Sequence, residues 1–224
     1  MLETFRTARG VMRSLGIYYG CHQRRRTAAM NALYRRFVKR GDLVFDIGAH
    51  VGDRVAAFLR LGATVVAVEP QPALASTISI LYEHGLLAYF PGGSVVVERK
   101  ALGRAAGEIR LMINTDNPTI STASNAFIHA AQDAPGWQGQ HWDKSIRVPM
   151  TTLDALIGEH GVPAFIKIDV EGFEEEVLMG LTEPVAALSF EFTTIQRDIA
   201  HACINRCVAL GLTLFNAAVG ESQE

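Results

Sequence analysis

Residues 41–70 read GDLVFDIGAHVGDRVAAFLRLGATVVAVEP, and this stretch decides the fold. Leu43 to Ile47 is a short apolar run suited to a buried strand, and Gly48 supplies a turn directly after it. Val55, Phe58 and Leu59 then recur at helical spacing, and Thr64 to Val68 is a second run rich in β-branched residues. Strand, glycine turn, helix and strand make a βαβ unit, whose two strands run parallel. Glu69 follows the second strand, about twenty residues beyond the glycine turn, where a carboxylate can accept hydrogen bonds from two ribose hydroxyls. The segment reads as a nucleoside site, with Asp46, Gly48, His50, Gly52 and Glu69 as its cofactor-binding candidates.

The spacing also bears on which nucleoside binds. Dinucleotide sites carry G-x-G-x-x-G, which sets a pyrophosphate against a helix N-terminus. Here an acid, Asp46, precedes Gly48, and the next glycine is Gly52. A carboxylate at that entrance suits a cationic group, and S-adenosylmethionine offers an ammonium and a sulfonium with no phosphate. The methyl donor is preferred to a nicotinamide dinucleotide; plain turn roles for the two glycines are the alternative.

Outward from this unit the alternation continues. Pro72 to His84 has a helical pattern, Val95 to Glu98 reads as a strand, and Ile109 to Ile113 as an added strand or hairpin arm. Residues 114–146 show no period and are rich in Asn, Ser, Thr, Gly, His and Trp, as expected of a lid or binding loop inserted in a domain. Phe165 to Asp169 and Leu188 to Phe192 read as strands around a helix with Phe173, Val177, Leu178 and Leu181 on one face. A last helix carries Ile195, Ile199, Cys203, Cys207 and Leu210, and Leu212 to Phe215 is the candidate final strand. The class is α/β, a mostly parallel twisted sheet flanked by helices.

Composition agrees and excludes other classes. At 224 residues with 49% hydrophobic and 20% charged side chains, the chain is neither disordered nor a coiled coil and can bury its own core. Arg54 and Arg60 interrupt the longest apolar candidate for a membrane span, and no secretory leader pattern opens the chain. With three cysteines, two of them four apart at helical spacing, core packing in a reducing cytoplasm is expected rather than disulfides or a metal site.

The net charge of −2 conceals an asymmetry: residues 1–40 hold ten Lys or Arg with Glu3 as the one acid, while residues 41–224 hold eleven bases and twenty-two acids. A basic helical extension over 1–40 is therefore expected to precede the domain at 41–224. Arg24, Arg25, Arg26, Arg35, Arg36, Lys39 and Arg40 flank Ala29, Met30, Leu33, Phe37 and Val38, the pattern of a helix docked by its apolar side. Nucleic acid, an anionic membrane surface and an organellar presequence are the other readings of such a segment.

A second motif lies at 165–181, FIKIDVEGFEEEVLMGL. Alternation puts Lys167 and Asp169 on one face of the strand, with Glu171 just past its end, at the sheet edge where α/β folds bind ligands. Asp169 and Glu171 are the catalytic candidates, because charge is not buried at a strand end without a purpose. Glu174, Glu175 and Glu176 open a helix, where negative charge complements the dipole, and are read as structural.

VFDIGAHVG (44–52), VVAVEP (65–70), TTLDALI (151–157) and FIKIDVEGFEEEVLMGL, in that order, resemble the FkbM-type branch of class I S-adenosylmethionine-dependent methyltransferases. The resemblance covers about 42–192. It implies a Rossmann-like sheet and methyl transfer to a hydroxyl of a sugar, polyketide or similar natural product. It also implies that Asp46, Gly48, Gly52 and Glu69 hold the cofactor and that Asp169 and Glu171 lie near the reacting centre. His50 stands where the family commonly has Asn, and the chain ends soon after Leu212 to Phe215, where the class fold normally adds an antiparallel strand.

On this reading Asp169 or Glu171 removes the acceptor proton, worth about 10²–10⁴-fold in rate. His129 and His141 are alternatives that more often prove to be surface histidines. A Mg²⁺ held by the two carboxylates with Glu191 is a less favoured arrangement, so no metal ligand is assigned. Trp137, His141 and Trp142 either wall an acceptor or seal the insertion, and Ser121 and Thr122 are candidate hydroxyl contacts. The expected partner is a small-molecule or carbohydrate acceptor, not nucleic acid, and a homo-oligomer stays open. RNA ribose methylation and a non-catalytic S-adenosylmethionine-binding module are the rival readings. Base methylation is disfavoured, since DVEG stands where an amino-methylating enzyme carries Pro-Pro-aromatic.

Overall fold

The computed structural model describes residues 2–19, 24–84 and 92–218. Two helices open the chain, α1 (Leu2–Tyr19) and α2 (Arg24–Tyr34). The 41–70 stretch folds as read, into β1 (Leu43–Ile47), α3 (Asp53–Arg60) and β2 (Thr64–Val68). Next come α4 (Pro72–Ile78), extended by a wider turn to Glu83, and β3 (Ser94–Glu98). Then follow β4 (Ala101–Leu102), β5 (Gly107–Ile113), α5 (Asn125–Gln132), β6 (Lys144–Thr151) and α6 (Leu153–His160). The last elements are β7 (Phe165–Ile168), α7 (Glu174–Met179), β8 (Leu188–Phe190) and α8 (Arg197–Ala209).

Five strands make one parallel sheet in the order β3-β2-β1-β7-β8. Alternation divides their side chains between two cores. Val44, Val65, Ala67 and Phe165 pack with Met30, Tyr34, Val55 and Phe58 from α2 and α3. Phe45, Ile47, Val66, Val68, Ile166 and Ile168 face α6, α7 and α8 on the other side. A parallel sheet covered on both faces with its order reversing beside β1 is a doubly wound, Rossmann-like fold, and its ligand crevice lies beyond the carboxyl ends of β1 and β7.

Several expectations change. Leu212 to Phe215 forms no strand: residues 212–218 are irregular, with Leu212 packed against the second core and Leu214 95% exposed, so the apolar run does not continue into the interior as a strand there would. The helix read over 29–38 ends at Tyr34, so Val38 is buried from the turn that follows while Phe37, 43% exposed, stacks on Phe165. The insertion is more ordered than its composition implied. It contains a short 3₁₀ turn, Pro118–Ile120, and α5, and its last residues already belong to β6, which pairs antiparallel with β5. Cys203 and Cys207 are buried in the second core as unpaired thiols; Cys21 lies outside the described residues.

α1 lies on the insertion. Arg6 meets Asp116 and Asp143 at 2.8 Å each, and Arg9 pairs with Asp116. Gly10 permits this approach: a Cβ there would stand 2.5 Å from the Thr115 carbonyl oxygen and 2.9 Å from the Pro118 ring. No described helix is long and apolar enough to cross a membrane.

Candidate active site

A cleft opens at the carboxyl ends of β1, β2 and β7, with about 130 Å³ of water-accessible space. That volume holds several waters, more than the single water that fills an ordinary internal void. Its walls include Gly48, His50, Glu69, Gln71, Asp169 and Glu171.

Gly48 leaves β1 with φ +77°, and a Cβ on it would fall 1.8 Å from the Asp169 carbonyl oxygen. The loops after β1 and β7 thus touch backbone to backbone at the point where the strand order reverses. Only glycine fits there. His50 is left-handed as well, at φ 52°, and Glu171 at φ 54°; they are the two non-glycine residues with positive φ among those described. Both line the cleft, which is where strained backbone tends to be kept.

Glu69 is buried, and its carboxylate accepts the His50 N–H at 2.9 Å on one oxygen and the Gln71 N–H at 2.8 Å on the other. Each oxygen keeps a lone pair for a further donor. Burial pushes this carboxyl up to about 7 against the pull of the two N–H donors. Burial also drives the His50 imidazole down to about 4, so the ring is neutral; it stands edge-on to Tyr18, with centroids 5.4 Å apart, and its Nε2 is 3.4 Å from the Thr119 hydroxyl.

Lys167 organises the other side. Its Nζ lies 3.0 Å from Asp169 and 3.5 Å from Asp46, and it donates to the Gly48 carbonyl at 3.2 Å. Burial opposes the ammonium, but the two carboxylates outweigh it and the pKa rises. Asp169 falls below its ordinary range: burial resists, and the Lys167 charge with hydrogen bonds from Lys167 and Glu191 prevails. Glu171 goes the other way, raised well above its ordinary value by burial and by repulsion from Asp169, Glu191 and Glu174. Two neighbouring carboxyls are thereby split, one ionised and one inclined to hold a proton, the pattern of an acid–base site.

The left-handed turn carrying Glu171 is held from two directions. Glu174, buried at the start of α7, accepts N–H bonds from Val170 at 2.9 Å and Gly172 at 3.0 Å. From the insertion, the Thr122 hydroxyl donates to the Glu171 carbonyl at 2.6 Å and accepts the Ser124 N–H at 2.9 Å.

Two sequence candidates lie elsewhere. Asp46 is fully buried beneath the cleft and is not part of its wall; it faces the α3 side of the sheet opposite Lys167, and neither oxygen has a hydrogen-bond partner. Strand alternation sets its side chain on the same face as Lys167, its register partner, within the strand rather than in the loop that forms the mouth. Gly52 is also off the wall; at φ +84° it starts α3, and a Cβ there would meet the Tyr82 ring at 2.9 Å. The insertion aromatics seal: Trp137 and Trp142 pack edge-on against buried Phe127, at 5.2 and 6.2 Å, and the Trp142 N–H donates to the Ile120 carbonyl. His129 and His141 are exposed, outside the cleft. Ser121 lines the cleft, 3.4 Å from Gln71 Oε1, whereas Thr122 acts from behind it.

The sequence reading missed the cations. Arg26, Arg54 and Lys100 line the cleft, beside Tyr18, so its character is mixed rather than acidic throughout. The signal was the basic run Arg24–Arg26, read as a solvated helix face. Among the described residues, one acid and histidine group has metal-ligand spacing, Glu98, Glu159 and His160, and Lys100 already bridges its two glutamates at 2.9 and 3.5 Å.

Fold and site together define a Rossmann-like core with a buried acid after its second strand and a split carboxyl pair after its fourth parallel strand. The chain belongs to the family of the methyltransferase FkbM domain, whose profile matches residues 46–202. Its fold is α/β, a Rossmann-like parallel sheet flanked by helices. Among curated proteins it is similar to the hexuronic acid methyltransferase AglP of Haloferax volcanii, 27% identical over 160 residues; the match takes 70% of this chain and 57% of that protein's length. A solved TehB-like SAM-dependent methyltransferase from Corynebacterium glutamicum overlaps at a TM-score of 0.40 with 12% identity, covering 80% of this chain and 71% of that one.

Proposed function

We propose that this methyltransferase uses S-adenosylmethionine to methylate a hydroxyl of a sugar or a related small natural product. One observation carries the proposal: a single cleft is lined both by Glu69, whose two oxygens each accept one backbone N–H, and by the split Asp169–Glu171 pair. The residues fit the donor, since Glu69 suits ribose hydroxyls and the ionised Asp169 suits a neighbouring positive charge. The hexuronic acid methyltransferase among its relatives supports a saccharide acceptor.

When bound, the donor supplies a methyl group activated by a sulfonium. The chain aligns the acceptor oxygen and excludes bulk water. Glu171 is the general base: from its ionised form, its raised affinity for a proton lets it take the hydroxyl hydrogen as the oxygen attacks. Asp169, kept ionised by Lys167, favours positive charge in the cleft and orients the acceptor. Asp46 supports Lys167 from below without contacting ligand.

The test is transfer of labelled methyl from S-adenosylmethionine to a panel of hexuronates, neutral sugars and polyketide alcohols, with Glu171→Gln as control. Incorporation into a hydroxyl compound, reduced about 10²–10⁴-fold by the substitution, is expected. Incorporation only into RNA, or donor binding without transfer to any acceptor, would displace the proposal.

A further inference from the structure

The cleft contains a feature that ribose recognition and proton removal leave unused. Arg26 from α2 and Arg54 from α3 both line it, with side chains 14% and 13% exposed, around the buried Asp53. Both guanidiniums converge on the same carboxylate oxygen, at 2.8 Å from Arg26 and 2.5 Å from Arg54. The Arg26 guanidinium also lies 4.9 Å from the centroid of the Tyr18 ring, and Arg54 touches the Met30 sulfur at 3.4 Å. Two planar forks are thus fixed by one acid, one aromatic face and one thioether at a ligand-accessible wall. Guanidinium forks match a carboxylate, and fixing them beforehand lowers the entropy lost on binding.

This group is joined to the ribose position. Tyr18 carries Arg26 on its face and meets the His50 ring at its edge, while the His50 backbone holds Glu69.

We propose that Arg26 and Arg54 form a carboxylate-binding subsite, and that its occupant is the amino-acid carboxylate of the methyl donor. The inference rests on the donor reading of the cleft. The basic N-terminal helices thereby become part of the donor pocket, with Asp53 as the positioning residue that holds both guanidiniums. A carboxylate on an acidic acceptor offers the same chemistry, so the experiment separates the two sources.

Calorimetry would compare S-adenosylhomocysteine with its analogue lacking the carboxylate, on the wild type and on Arg26→Gln and Arg26→Lys. The wild type should bind the complete ligand roughly 10- to 100-fold more tightly than the analogue. Arg26→Gln should lose most of that preference while binding the analogue as the wild type does, which also shows that it is folded. Arg26→Lys, a point charge without the fork, should fall between. A second arm would measure the shift in melting temperature with glucuronate against glucose in the presence of the carboxylate-free analogue. An Arg26-dependent preference for glucuronate there, with none for the complete nucleoside, overturns the donor assignment and gives the subsite to the acceptor. Equal binding of both nucleosides and both sugars overturns the subsite while leaving the donor reading intact. Failure of either nucleoside to bind the wild type overturns the donor reading and, with it, the assigned occupant.

Discussion

The Thr122 hydroxyl donates a 2.6 Å hydrogen bond to the carbonyl oxygen of Glu171, tying the insertion to a residue in the left-handed region. The insertion is thereby part of what holds the Glu171 turn, since the same hydroxyl also accepts the Ser124 N–H that leads into α5.

Thr122→Val keeps the shape and deletes both bonds. A buried site left with an unpaired carbonyl and N–H should cost roughly 2 kcal/mol, lowering the melting temperature by about 4–8 °C. Methyl transfer at a temperature where the protein is still folded should fall at least several-fold, through kcat. An unchanged kcat in a folded, destabilised protein would show that Thr122 merely packs.

Lys167 is the single ammonium shared by Asp46 and Asp169. Replacing it by Met removes the compensating charge from a carboxylate that is fully buried and has no hydrogen bond, a loss of about 3–5 kcal/mol. Lys167→Met with Asp46→Asn should recover much of that loss in urea unfolding, but not activity, because Asp169 still lacks its counter-charge. Recovery of full activity in the double variant would assign Lys167 a purely structural role.

Buried carboxyls with raised pKa make stability depend on pH, Glu69 and Glu174 among them. Glu69 and Glu174 are both raised to about 7 by burial, so the native state holds their protons more tightly than the unfolded chain does. Their contribution is complete below the ordinary glutamate range and is lost as pH rises through about 7, to the extent of at most about 3 kcal/mol each. The melting temperature of the ligand-free protein should decline between pH 5 and 8, and Glu174→Gln should flatten that decline. Ribose hydroxyls donating to Glu69 would favour its ionised form. Binding S-adenosylhomocysteine at pH 6.5 should then release protons, seen as a buffer-dependent heat that disappears in Glu69→Gln. A buffer-independent heat in the wild type would contradict this role.

The two motif glycines should respond differently to alanine. Gly48→Ala drives a methyl group into the Asp169 carbonyl in a left-handed turn, so it should destabilise by more than about 3 kcal/mol and abolish donor binding. Gly52→Ala meets a tyrosine ring edge at 2.9 Å, which can shift, and should weaken stability by about 1–2 kcal/mol while binding persists. Equal effects in thermal melts would refute the distinction.

The parallel core was legible from residues 41–70 and 165–181 because both signals are local: apolar runs of strand length, a glycine after the first strand, and acids where strands end. Locality also explains the correct placement of Glu69, Asp169 and Glu171 at one edge of the sheet, as alternation and strand length suffice for that. What the residues 114–146 do was not legible, since α5 and β6 owe their position to distant partners, Phe127 against Gly172 and β6 on β5. Nor could spacing tell that Asp46 lies under the cleft while Gly48 lines it. Only the tertiary fold decided the protonation of the site, because burial and the sharing of Lys167 between two acids depend on which side chains meet. The same holds for Arg26: in the sequence it is one of many cations on a helix, and it becomes part of the cleft only when α2 packs on α3 and brings it to Asp53.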